Sequence, residues 1–114
     1  MNMETAPIRR DEDGHIRHID VSALMRTPDG FARLRAALDE IDETLPEDYD
    51  IEQPPWLICP ATQRDSVTWK VRRGARVVET FAQWYRTQAP ELRRRIQARY
   101  PEPRGWQGFY ASLA

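Results

Sequence analysis

Apolar residues fall at helical spacing along one run, Phe31, Leu34, Leu38, Ile41 and Leu45, three and four positions apart. That stripe predicts an amphipathic helix over about 28–44. Thr27, Pro28 and Asp29 stand ahead of it as N-cap, first helical residue and first-turn acid, and Pro46 ends it. Before it, Gly14–Val21 reads as a short strand with imperfect alternation, because Ile16 and Ile19 lie three apart. Asp20 is placed to cap a short turn over Ser22–Met25.

After the helix the pattern shifts towards period two. Trp56–Cys59, ended by Pro60, suits a strand at a sheet edge, where a missing N–H is tolerated. Over Ser66–Arg72, Val67, Trp69 and Val71 alternate with Ser66, Thr68, Lys70 and Arg72, the signature of a half-buried strand. Arg73-Gly74 then reads as a hairpin turn and Ala75–Glu79 as the returning strand. Thr80 to Gln83 matches a capping box opening a helix over Phe81–Gln88. Val77, Val78, Phe81, Trp84 and Tyr85 also fit one continuous helix, so residues 75–88 stay open between the two readings. Pro90 sits in the first turn of a further helix carrying Leu92, Ile96 and Tyr100. Trp106, Phe109, Tyr110 and Leu113 mark a last amphipathic turn that should fold back onto the domain. The expected fold class is α+β, a small antiparallel sheet with helices packed on one face. Residues 1–13 carry no apolar period and read as a disordered tail, leaving 14–114 as a single domain.

Composition narrows this further. A chain of 114 residues suits one domain. The single cysteine, Cys59, excludes an internal disulfide and a cysteine-based zinc site, and its apolar neighbours suggest a small buried side chain. The longest stretch without charge, Gln53–Gln63, has eleven residues, against the ~20 apolar residues a membrane helix needs. No secretory leader is legible, and the expected compartment is the cytoplasm. Small bacterial cytosolic inhibitors, immunity proteins and adaptors share this size and charge habit, an analogy of size alone.

The net charge of −1 conceals a strong asymmetry. Residues 1–53 hold six Arg against fourteen Asp and Glu, net −8, and residues 54–114 hold ten Arg and one Lys against four acids, net +7. Asp39, Glu40, Asp42, Glu43, Glu47, Asp48, Asp50 and Glu52 form a block with no base between Arg35 and Arg64. Asp39 to Glu43 occupy the last turns of the first predicted helix, where the macrodipole is already negative and each acid is unfavourable. A local rule broken without visible gain points to function. The leading expectation is therefore a protein-interaction module, docking this acidic surface on a basic partner with Tyr49 and Trp56 as aromatic anchors. The plainer reading is that these acids meet the Arg-rich half of the same domain. The alternative function is nucleic-acid binding through Arg73, Arg76, Arg93, Arg94 and Arg95, with Trp69, Trp84, Tyr100 and Trp106 as stacking surfaces. A homodimer is a further possible state, and no membrane partner is expected.

Catalytic signals are weak. The five glycines, at 14, 30, 74, 105 and 108, form no phosphate-binding loop. Ser22, Ser66 and Ser112 stand in no nucleophile elbow. His15 and His18 lie three apart on a strand, pointing to opposite faces, so no metal or other cofactor is expected. The reading leans away from an enzyme, although catalytic residues distant in sequence can converge in space.

Overall fold

The computed structural model describes residues 6–113. The first five residues of the expected tail lie outside the described residues. Ile8–Arg10 does not belong to a tail: it forms strand β1, antiparallel to β2, Ile16–Ile19. Ile8 faces Ile19 and Arg9 faces His18, but Arg10 faces Ile16, which leaves Arg17 as an extra residue. This bulge explains the imperfect alternation, since an extra residue lets two isoleucines three apart turn inward together. In the turn between the strands, Asp11 accepts the N–H groups of Asp13 and His15 at 2.9 and 3.0 Å.

Asp20 caps α1, Val21–Met25, by accepting the Ala23 N–H at 3.0 Å. The long helix, α2, spans Gly30–Glu43. Thr27 is not its cap, for its hydroxyl donates back to the Leu24 carbonyl at 2.8 Å. Pro55 opens a single helical turn, α3, Pro55–Ile58, where a strand was expected. Proline suits that first position because its N–H would be orphaned there anyway.

Residues 66–80 depart furthest from expectation. Val67–Lys70 is a 3-10 turn, with Ser66 accepting the Thr68 N–H at 3.2 Å. Arg72–Arg86 is one continuous helix, α4, so there is neither a hairpin at Arg73-Gly74 nor a strand over Ala75–Glu79. Thr80 is no cap, as its hydroxyl donates to the Arg76 carbonyl at 2.9 Å in mid-helix. Gly74, Val77, Phe81, Ala82 and Tyr85 are its buried positions. The chain continues through α5, Pro90–Arg99, and α6, Phe109–Leu113. Glu102 accepts the Gly108 and Tyr110 N–H groups, at 2.9 and 2.8 Å, and so satisfies the start of α6.

The architecture is thus α+β, with a two-stranded antiparallel sheet and six α-helices among the described residues. Its interior is divided. One cluster joins Leu45, Trp56, Trp69, Val77, Phe81, Tyr85, Trp106, Phe109, Tyr110 and Leu113. A smaller one joins Ile16, Ala37 and Ile41, with Ile8, Ile19, Val67 and Val71 packed against it. The molecule is correspondingly elongated, 53 × 26 × 23 Å, with a radius of gyration of 16.3 Å. A compact chain of this length would have about 13 Å. No buried side-chain polar atom among the described residues lacks a hydrogen-bond partner. No described helix is long and apolar enough to cross a membrane.

Candidate functional site

The acidic block divides between two duties. Its helical part is committed within the fold. Arg72 donates to Asp39 at 2.7 Å and lies 3.6 Å from Asp42. Arg10 donates to Glu40 through both terminal guanidinium nitrogens, Nη1 and Nη2. The hydrogen bond from Arg10 holds the Glu40 carboxyl below its ordinary value, and the same bond raises Arg10. The bond to Asp39 likewise raises Arg72. Of the helical acids, Glu43 remains exposed and outside these pairs.

The loop part, Glu47, Asp48, Asp50 and Glu52, is exposed. Leu45 and Pro54, both buried, anchor this loop at its two ends. Asp50 accepts the Glu52 N–H at 2.9 Å and stiffens it. Tyr49 is half-buried against the larger cluster, its hydroxyl 3.5 Å from that of Thr80. Trp56 is not offered to a partner: it is only 7% exposed, with its ring 5.3 Å from those of Trp106 and Phe109. The pattern signal for Trp56 was its place in an apolar run, which equally fits a core residue.

The arginines divide in the same way. Arg73 donates to the Asp42 and Leu45 carbonyls at 2.8 and 3.1 Å. Arg93 donates to the Gln88 and Arg86 carbonyls at 2.9 and 2.8 Å. Both therefore close helix ends, where terminal carbonyls need donors. Arg76, Arg94 and Arg95 are exposed. Consecutive residues on a helix turn by about 100°, so Arg93, Arg94 and Arg95 do not share a face. Trp69 and Trp106 are buried, which removes them from any stacking surface.

The two free sets meet at a groove of about 360 Å³. Asp50 and Glu52 line it together with Arg95 and Arg99 of α5. Trp84, Leu92, Ile96 and Tyr100 supply the apolar part of the lining. Leu92 is 42% exposed, and α5 has no buried residue. None of the ion pairs among the described residues involves Asp50, Glu52, Arg95 or Arg99. Two larger clefts carry side chains already bonded within the fold. In one, of about 830 Å³, Asp65 is held by Arg17 at 2.7 Å and Arg64 by the Gln107 carbonyl at 2.9 Å. In the other, of about 610 Å³, Gln97 donates to the Tyr85 hydroxyl at 2.6 Å and Tyr110 donates to the Tyr100 carbonyl at 2.7 Å. Burial pushes the Tyr110 phenol above its ordinary value and keeps it a donor.

One cluster escaped the sequence reading. Asp11, Asp13 and His15 bring their ligand-type atoms within 4.8 Å of one another in the turn between β1 and β2. The signal lies in the D-E-D-G-H run, where a turn rather than a strand brings His15 beside the two aspartates. Asp11 already serves there as the acceptor that braces the turn. No family model, curated protein or solved structure matches this chain.

Proposed function

We propose that the protein is a protein-binding module whose docking site is the groove between the acidic loop and α5. The single observation that supports this reading is that one groove is lined by apolar side chains and by side chains of both charges. A nucleic-acid backbone drawn to Arg95 and Arg99 would be repelled by Asp50 and Glu52 in the same groove. A protein segment satisfies both charges. It would set an apolar side chain against Trp84, Leu92 and Ile96, a basic group towards Asp50 and Glu52, and an acidic group towards Arg95 and Arg99. The docking surface is accordingly narrower than the whole acidic block. Asp50 and Glu52 form its acidic side, Glu47 and Asp48 lie outside the groove's lining, and Asp39, Glu40 and Asp42 are paired within the fold.

The test is affinity capture from the source cell with and without nuclease, comparing the wild type with Asp50→Lys/Glu52→Lys and with Arg95→Glu/Arg99→Glu. The expected result is a set of proteins retained by the wild type and lost by both variants, each of which melts like the wild type. Capture that requires nucleic acid, with a steep fall in affinity as salt rises, supports the nucleic-acid alternative instead. Capture that both variants retain places the docking surface elsewhere.

A further inference from the structure

The apolar stripe of α2 is wider than the core that receives it. Of Phe31, Leu34, Leu38, Ile41 and Leu45, only Ile41 and Leu45 are buried, joined by Ala37. Leu34 and Leu38 are half-buried, and Phe31 is 67% exposed, the most exposed large apolar side chain described. The flank beside Phe31 also presents Ala32, Arg35, Asp39 and Glu43, all exposed. Arg35 holds its guanidinium 5.7 Å from the centre of the Phe31 ring.

We infer that this flank of α2 is the surface through which two copies of the chain associate, helix against helix and antiparallel. The charge order along the helix selects both the partner and the orientation. On this flank the base, Arg35, lies in the first half of the helix, and the acids, Asp39 and Glu43, lie in its second. A reversal of charge along one helix is self-complementary under a two-fold axis, the property an isologous contact requires. Antiparallel copies set Arg35 against Asp39 of the second copy, twice over. Parallel copies would set base on base and acid on acid. Asp39 retains acceptor capacity, since Arg72 engages only one of its oxygens within hydrogen-bond distance. Ala32 adds no bulk that would hold the backbones apart. A single helix pair buries less than a standard stable interface, so the association is concentration-dependent rather than obligate.

Sedimentation equilibrium over a roughly thousandfold range of concentration, on the order of micromolar to millimolar, tests this. The wild-type mass should rise from 13.4 kDa towards twice that value. Phe31→Ser should remain monomeric at every concentration and melt like the wild type. Arg35→Glu and Asp39→Arg should each be monomeric alone, because like charges then face each other. An equimolar mixture of the two should associate, which also shows that both are folded. A wild type that stays monomeric throughout overturns the inference. So does a Phe31→Ser protein that associates as the wild type does, or a mixture of folded charge variants that does not.

Discussion

Arg73 grips Asp42 twice: its backbone N–H donates to the Asp42 carboxylate at 3.2 Å, and its guanidinium donates to the Asp42 carbonyl at 2.8 Å. The two bonds join the end of α2 to the start of α4. They also explain why acids stand at the C-terminal end of α2, against its macrodipole. Val71, the cap residue of α4, supplies no side-chain acceptor, so Asp42 provides one from another helix. The acid thus sits at the positive end of α4 as much as at the negative end of α2. Replacing Asp42 by Ala should cost about 1–2 kcal/mol, the usual loss for an N-terminal cap. Asp42→Asn, which keeps an acceptor, should cost less. Urea denaturation of the two variants checks the order, and equal stabilities would remove the capping role.

Gly74 offers a test in which helix propensity and packing predict opposite signs. In an exposed helix, Gly→Ala stabilises by about 1 kcal/mol. Here a Cβ would lie 1.7 Å from the Thr68 carbonyl oxygen, which belongs to the backbone of the 3-10 turn and has little freedom to retreat. Gly74→Ala should therefore destabilise by roughly 3 kcal/mol, the upper part of the range for overpacking. A rise in melting temperature on this substitution would mean that the turn and α4 do not pack as described.

The same neighbourhood shows which parts of the fold were legible in the sequence. Features written in adjacent residues were readable: the Asp20 cap, Pro90 in the first turn of α5, and the inward face of α6. The alternation of Val67, Trp69 and Val71 was misleading because the three residues serve two interiors. Val67 and Val71 pack on the smaller cluster, and Trp69 joins the larger one, so period two here marks a turn between cores. Gly74 is glycine for close approach rather than for positive φ, and that contact with Thr68 has no local sequence signature. The acidic and basic blocks were visible as blocks. Their division into internal pairs and free side chains depends on Arg10, Arg72 and Arg73 reaching α2 from distant parts of the chain, which periodicity does not encode.

Acid should loosen the contact between β1 and α2 first through Glu40. Its hydrogen bond from Arg10 lowers its folded value below the ordinary 4.5. The sign follows directly: the pair contributes fully above pH 4.5 and is lost as pH falls through the lowered value. Both side chains are substantially exposed, so solvent screening limits the effect to about 0–1 kcal/mol. Glu40→Gln should erase this part of the acid dependence, leaving a shallower fall in stability below pH 4.5. Melting curves of both proteins across the acid range read the difference, and parallel curves would show that the pair adds nothing.

The C-terminal segment should be indispensable to the fold. Trp106, Phe109, Tyr110 and Leu113 are each no more than 5% exposed. They complete an aromatic cluster in which Trp56 lies 5.3 Å from Trp106 and 5.7 Å from Tyr110, and Trp69 lies 5.8 Å from Trp106. Arg86 on α4 donates to the Leu113 carbonyl at 2.9 Å and fixes the far end of α6. Burial of each large apolar side chain stabilises by roughly 1.5–3 kcal/mol. Removing four of them rivals the whole ~5–15 kcal/mol stability of a small domain. It would also uncover Trp56 and Trp69, an apolar surface that favours aggregation. Truncation after Arg104 should therefore give a chain without a cooperative melting transition. The milder Trp106→Ala should remain folded and lose about 3–5 kcal/mol, the cost of deleting a large core aromatic. A truncated chain that melts cooperatively near the full-length temperature would show that Trp56, Trp69 and Phe81 close on themselves without α6.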